Sequence, residues 1–336
     1  MTRYGILGFG HHAAKRLTRA FAGAADSKLV GLWRRDPAKA QTNASQYSIP
    51  LLFDTAEALC ASPEIDAVFI VSPDALHLPH VLIAAKHGKA ILCEKPLALN
   101  AGEVEEMLTA AKAAGIPFGV AQNMRYNRSL DLIRKWIAEG RIGQPQLAHS
   151  QFSYSAAGSP RTWIYDPSLA TGGPIGDVGI HCIDALRFVL RVDVTAVSTL
   201  AHRDAASGAV ESHAVIALDF ASDLAPGAMA TVTVTTRAEY RSLIEVTGDT
   251  GVILCENGLT VDYTVDVVLR RGPEVIATEH VSNADAYSLM LDGFSAWVEG
   301  RGTYLAPATD SLHNQRILDA AYRSWREGTK QRIASR

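Results

Sequence analysis

The chain has little cysteine. Its four, Cys60, Cys93, Cys182 and Cys255, match no zinc spacing and no disulfide framework, so a reducing compartment is the simpler expectation. No apolar run is long enough to cross a bilayer, and the N-terminus runs straight into a strand with no charged leader before it. Neither sign of charge dominates: 32 Lys+Arg stand against 35 Asp+Glu, a formal net charge of -3. That balance gives no electrostatic reason to expect nucleic acid or an anionic membrane as partner. Repeats and low-complexity segments are missing too. These absences predict a cytoplasmic chain. At 336 residues, 48% of them apolar, two domains are favoured, since single cores stop growing at roughly 250–300 residues.

Residues 1–122 alternate short apolar runs with helix-like segments. Strands are predicted at 4–7, 29–33, 67–71, 90–93 and 118–121, and helices at 12–23, 55–61, 77–87 and 101–114. Continuous apolar runs suit strands buried on both faces. Gly88, Gly115 and Gly140 follow helix-like stretches, where a left-handed cap favours glycine. Alternation of this kind predicts a doubly wound parallel sheet. After about residue 145 the pattern becomes alternating apolar and polar, at 146–154, 194–202, 210–220, 228–236, 242–247 and 260–270. That predicts an antiparallel sheet with one covered face, in a second domain spanning 123–336. The final helices, about 284–327, are expected to pack back on the first domain.

Gly8, Gly10 and Ala13 in "GILGFGHHA" fit G-x-G-x-x-A between a strand and a helix. The first glycine permits a tight turn, the second lets a pyrophosphate approach the backbone, and the small third residue lets helix and strand pack closely. The helix start then offers N–H groups to phosphate. The loop Gly8, Phe9, Gly10, His11 and His12 is therefore a predicted dinucleotide contact, with both histidines flanking it rather than performing chemistry. A ribose-binding acid usually ends the second strand; here "GLWRRDP" puts Arg34 and Arg35 there. Two guanidiniums suit a 2′-phosphate. NADP(H) is favoured and NAD(H) stays open, because Asp36 is a ribose acceptor if the loop shifts.

"ILCEKPL" places Glu94, Lys95 and Pro96 at the end of a buried strand, where doubly wound sheets bind ligands. Desolvation there lowers an ammonium pKa and suits proton transfer. The following X–Pro bond is a candidate for cis geometry. "GGPIGDVGIHCIDALRFVL" (172–190) reads as a helix with a flexible Gly172–Gly173 entry and Pro174 in its first turn. Ile175, Val178, Cys182, Leu186 and Val189 make its apolar stripe. Asp177, His181 and Asp184 share another face. A histidine of near-neutral pKa can carry an alcohol proton, and a carboxylate one turn away can orient it. A solvated helix face is the bland alternative.

Together, "GILGFGHHA", "VSPDALHLPHVLIAAKHGKAILCEKPLA" and "TGGPIGDVGIH" resemble the Gfo/Idh/MocA oxidoreductase family, in its order and spacing, across nearly the whole chain. The resemblance implies a Rossmann domain joined to an α/β domain built on a large open, mainly antiparallel sheet, often used for oligomerisation. It also implies hydride exchange between NAD(P) and sugars, cyclitols or related hydroxy compounds. Carried over by position, Lys95, Asp177 and His181 form the catalytic set. Glu94 and Lys95 touch the nicotinamide ribose, and Ser72, Pro73 and His77 line the cofactor. Gln122, Asn123 and Arg125 border the active site at the domain junction, and Trp163 lies in a substrate-facing loop. Arg34 departs from the acidic residue many members carry, which supports NADP(H).

His80 and His87 show no partner in the sequence and read as surface residues; a histidine metal site is not expected. A polyol or carbonyl substrate and a homodimer or homotetramer through the second sheet complete the expectation. Three rivals stand beside it: an NAD-dependent glycosidase, a reductase of dihydrodiols or dicarbonyls, and a non-catalytic dinucleotide-binding regulator. Tyr126, Tyr154, Trp163 and Tyr165 suit sugar faces or flat rings equally.

Overall fold

The computed structural model describes residues 1–159, 161–221 and 227–334. They form two compact units. The first comprises Met1–Gln122, Ser168–Thr171 and Tyr287–Leu312; the second comprises Asn123–Pro167, Gly172–Ala286 and His313–Arg336.

In the first unit six parallel strands are β1 (Thr2–Leu7), β2 (Ser27–Trp33), β3 (Leu51–Leu52), β4 (Ala67–Ile70), β5 (Ala90–Cys93) and β6 (Phe118–Val120). Their order is β3-β2-β1-β4-β5-β6. Every residue of β4 and β5 is buried, as their unbroken apolar sequences require. Helices Pro37–Gln46, Ala56–Ala61, His77–Lys86 and Ala101–Ala114 make crossovers. The last lies where its sequence puts it, because Asn100 caps it by accepting from the Glu103 amide and Gly115 ends it at φ 65°. Strand order reverses between β1 and β4, the switch point at which such sheets bind ligands. Helix Pro37–Gln46 and the two-residue β3 escape the apolar-run criterion, the helix because it buries only Ala40 and Ala44.

Among the described residues the second unit carries nine strands: β7 (Pro145–Ser155), β8 (Asp193–His202), β9 (His213–Ala221), β10 (Met229–Thr235), β11 (Arg237–Gly248), β12 (Val252–Glu256), β13 (Thr264–Arg271), β14 (Glu274–Ser282) and β15 (Gln331–Arg332). They pair as β14-β13-β12-β11-β7-β10-β9-β8-β15. All pairs are antiparallel except β7 with β10. One face packs on helices Arg128–Ala138, Ile180–Leu190 and the C-terminal part of Ala308–Glu327, in a core that includes Ile133, Leu186, Val232, Ile244 and Ile317. Strands β12 and β14 were outside the sequence expectation. β14 is an edge strand that is mostly exposed and so shows no apolar alternation. The 260–270 run starts only at Thr264 and the 210–220 run at His213.

Candidate active site

The glycine turn of the first unit is set by lack of room. Gly8 has φ +89°, and a Cβ there would lie 2.8 Å from the Ser72 backbone. The Gly8 and Phe9 amides are spent on the Trp33 carbonyl. What remains for a phosphate is the start of the next helix, whose first-turn N–H groups have no intrahelical acceptor. That helix starts at His11 and runs into a π-type turn, Ala13–Leu17, a geometry common at functional sites. At Gly10 a Cβ would meet nothing closer than 3.8 Å, so that backbone stands bare. Phe9 is fully buried against Tyr47, which leaves only its backbone to a ligand.

At the tip of β2 the structure separates Asp36 from the arginines. Asp36 caps helix Pro37–Gln46, accepting from the Lys39 amide at 3.1 Å, so it is committed locally. Arg34 Nη1 donates to Asn43 Oδ1 at 2.8 Å, and Arg35 is exposed.

The loop after β4 is held by two histidines. His77 is fully buried, with Nε2 2.9 Å from the Ser72 carbonyl and Nδ1 3.1 Å from the Leu97 carbonyl. Its ring shapes the loop that starts Ser72-Pro73 and offers no spare nitrogen. His80 does not sit on the surface as its spacing suggested. It is 7% exposed, 3.0 Å from Ser72 Oγ through Nδ1, and edge-on to Trp33. Burial pushes its pKa down to about 4. His87 likewise has a partner, Glu57 at 2.7 Å. Asp74, buried below the loop, accepts from the Thr171 amide and hydroxyl; burial raises its carboxyl.

At the end of β5, Glu94 is 3.1 Å from His12 Nε2 and 3.2 Å from the Lys95 amide. Burial acts against its ionisation, yet His12 and Lys95 hold the carboxyl below its ordinary range. Lys95 is half-buried and the Lys95–Pro96 bond is cis. His11 is exposed beside the turn. Just past β6, Gln122 Oε1 is buried without a partner among the described residues. The bare turn and this orphaned acceptor fit a dinucleotide.

In the second unit the predicted helix begins at a π-type turn, Ile175–Gly179, and continues as Ile180–Leu190. It runs along β7. Asp177 Oδ2 accepts from Tyr154 Oη at 2.5 Å, and His181 stacks on Phe152 with ring centroids 6.4 Å apart. The match is geometric. Four helical residues advance about 6 Å and two strand residues about 6.7 Å, so the pairs 177/181 and 154/152 stay aligned. Arg161 completes the cluster, with Nη1 3.2 Å from Asp177 Oδ1 and Nη2 3.1 Å from Oδ2. The Asp177 charge raises the Arg161 pKa, and burial followed by that same charge raises the Tyr154 phenol. A solvated helix face is excluded: His181 is 8% and Asp184 1% exposed.

Gly172–Gly173 is no flexible entry; a Cβ at Gly173 would lie 2.1 Å from the Glu211 carbonyl oxygen. Arg125 gives Nε and Nη2 to the Asp184 carboxylate at 2.9 and 2.5 Å and is 6% exposed. It braces the helix, and Asp184 is committed to that pair. Asn123, in the same 3₁₀ turn, is 3% exposed, and its Nδ2 has no partner among the described residues. Trp163 is half-buried in the short turn Thr162–Tyr165. Arg161 was overlooked: nothing in its local sequence marks it, and its partner lies 16 residues away.

A parallel sheet with a glycine turn at its switch point, in a chain that also carries a hydrogen-bonded Asp–Tyr–Arg cluster beside a histidine, defines a dinucleotide-dependent oxidoreductase. Residues 2–122 match the oxidoreductase family with NAD-binding Rossmann fold, and residues 130–254 match the GFO/IDH/MocA C-terminal domain. The chain is 30% identical to inositol 2-dehydrogenase of Rhizobium meliloti (strain 1021), over 99% of each chain. It is 29% identical to 1,5-anhydro-D-fructose reductase of Ensifer adhaerens, over 93% of this chain and 92% of that one. The crystal structure of aldose-aldose oxidoreductase from Caulobacter crescentus complexed with glycerol matches with TM-score 0.90 and 25% identity over 99% of both chains. The chain belongs to the Gfo/Idh/MocA oxidoreductase family and is an NAD(P)-dependent dehydrogenase or reductase. Among the described residues no helix is long and apolar enough to cross a membrane.

Proposed function

We propose that the chain exchanges a hydride between NADP(H) and the CH–OH or C=O carbon of a sugar, cyclitol or related small polyol. The observation that carries the polyol part is the Asp177–Tyr154–Arg161 cluster one turn from His181. An ionised carboxylate fixed by a phenol and a guanidinium is a rigid hydroxyl anchor, and a neighbouring imidazole can take or return the hydroxyl proton. The bound nicotinamide supplies the hydride acceptor or donor. Helix-start amides from Gly10 to His12 hold the diphosphate, Glu94 and Lys95 the nicotinamide ribose, and the Ser72–Pro73 loop the ring. Lys95 is the second proton carrier. The NADP(H) preference is supported by Arg34 and Arg35 at the β2 tip, with Asp36 withdrawn into a helix cap.

Self-association belongs to the same proposal. Leu147, Met229, Val215 and Leu200 are 60%, 46%, 46% and 79% exposed on one face of the second sheet. Leu147 is in register with Met229, and Val215 with Leu200. Two exposed apolar pairs on one face of an open sheet suit a second copy.

The test is a panel of sugars, glycosides, cyclitols, dihydrodiols and dicarbonyls with NADP+ or NADPH, read by nicotinamide absorbance and free-sugar release in wild type and Lys95→Met. Polyol-dependent reduction of NADP+, lost in the variant by a far larger factor than dinucleotide binding, is expected. Sugar release with no net nicotinamide change would make it a glycosidase instead. Binding without turnover of any compound would make it a regulator.

A further inference from the structure

We infer that Glu211 is a positioning residue that fixes the start of the helix bearing Asp177 and His181, with Tyr322 as its partner. The inference rests on the reading of Asp177 and His181 as substrate-facing groups. Glu211 is 1% exposed, precedes β9, and has no place in the chemistry above. Its Oε2 accepts from the Gly173 amide at 3.1 Å, and Oε1 accepts from the Ile175 amide at 2.8 Å and Tyr322 Oη at 2.9 Å.

The backbone accounting is complete over three residues. Helix starts leave N–H groups without partners. Here Gly173 and Ile175 give theirs to one carboxylate, and Pro174 between them has none to give. The Gly173 carbonyl then accepts the Asp177 amide at 2.9 Å. So one carboxylate fixes the residue that fixes Asp177. An anion at a helix start also meets the positive end of the helix dipole.

Both glycines are needed to let this clamp close. A Cβ at Gly173 would lie 2.1 Å from the Glu211 carbonyl oxygen, and one at Gly172 would lie 1.8 Å from Tyr322 Oη. The pair in "TGGPIGDVGIH" is therefore explained by close approach of Glu211 and Tyr322.

The clamp requires an ionised carboxylate. Facing it are the amides of Gly173 and Ile175, its own amide, and the Tyr322 phenol from the C-terminal helix. Burial raises the Glu211 carboxyl, and those four donors oppose the rise. A proton on either oxygen removes an acceptor and displaces one donor.

The experiment uses the full chain with Glu211→Gln and Tyr322→Phe. Glutamine keeps the shape but sets an NH2 against one of the Gly173, Ile175 and Tyr322 donors. Glu211→Gln should lose about 10- to 100-fold in kcat, the cost of a displaced reacting group, with dinucleotide Kd and cooperative melting retained. Hydrogen exchange at the Ile175 or Gly173 amide should quicken by about 10-fold or more, since a bond to a charged group contributes about 1.5–3 kcal/mol. Tyr322→Phe removes a donor that favours the ionised form. The acidic limb of its kcat profile should therefore move to higher pH. Wild-type kcat in Glu211→Gln, a turnover loss matched by lost dinucleotide binding, or an unmoved limb in Tyr322→Phe would overturn the inference. Should Glu211→Gln fail to fold, the Tyr322→Phe limb decides alone. Should wild type turn over no polyol, the functional reading fails, while amide exchange still decides the clamp.

Discussion

Replacing Arg161 with alanine strips Asp177 of two charge-assisted hydrogen bonds, at 3.2 and 3.1 Å, and takes from Tyr154 Oη a donor at 3.1 Å. The Asp177 side chain is 11% exposed and that of Arg161 31%. Deleting one member of a fully buried pair costs about 3–5 kcal/mol because the other charge is stranded. Partial exposure of Arg161 lets water replace some of what is lost, so about 2–3 kcal/mol is the reasonable range here. If Asp177 anchors the reacting hydroxyl, that range appears in the transition state as a fall of about 30- to 150-fold in kcat/KM. Arg161→Lys keeps the charge but loses the fork and should fall between alanine and wild type. The assay is steady-state turnover of the best polyol of the panel, with dinucleotide Kd measured in parallel and expected to be unchanged. Wild-type kcat/KM in Arg161→Ala would refute the anchor role. A loss carried wholly by dinucleotide Kd would refute it as well.

Arg34→Ala combined with Arg35→Ala should weaken NADPH far more than NADH, by about 10- to 100-fold, as two charge-assisted contacts to one phosphate imply; equal losses in titration calorimetry would remove the cofactor preference. His80 gives a pH signature. Its unfolded pKa is 6.5 and burial depresses the folded value to about 4. The unfolded chain therefore binds more protons between those values, and stability falls as pH drops through that window, by about 3 kcal/mol in all. Urea melts of wild type and His80→Gln at pH 7 and pH 5 should show a steeper loss in wild type; parallel losses would contradict the buried neutral ring.

Much of the first unit was legible because strand and helix signals there are local. Strand 90–93 is an unbroken apolar run, and helix 101–114 has its asparagine cap and its glycine stop. Helix Pro37–Gln46 also carries a local signal, Asp36 before Pro37, but a carboxylate at that strand end suits a ribose in a shifted loop as well as a helix cap. In the second unit the alternation marked most strands and failed for β14, which has no buried face to pattern. Asp177 and His181 could be found because they sit four apart on one helix. Their partners Tyr154, Phe152 and Arg161 come from a strand and a loop that only the fold brings to that helix. Glu211 and Tyr322 are further still in sequence, and the glycine pair they press against looked like flexibility. His80 misled for the opposite reason: helical spacing without a sequence neighbour said nothing of Ser72 and Trp33.

The glycine turn, tight at Gly8 and bare at Gly10, carries the dinucleotide reading, and it can be tested without knowing the substrate. A Cβ at Gly8 would sit 2.8 Å from the Ser72 backbone. Calorimetric titration of wild type and Gly8→Val with NADPH and NADH should give saturable binding in wild type, NADPH the tighter, and no measurable binding in a variant that still melts cooperatively. Failure of wild type to bind either nucleotide, or equal binding by Gly8→Val, would contradict it.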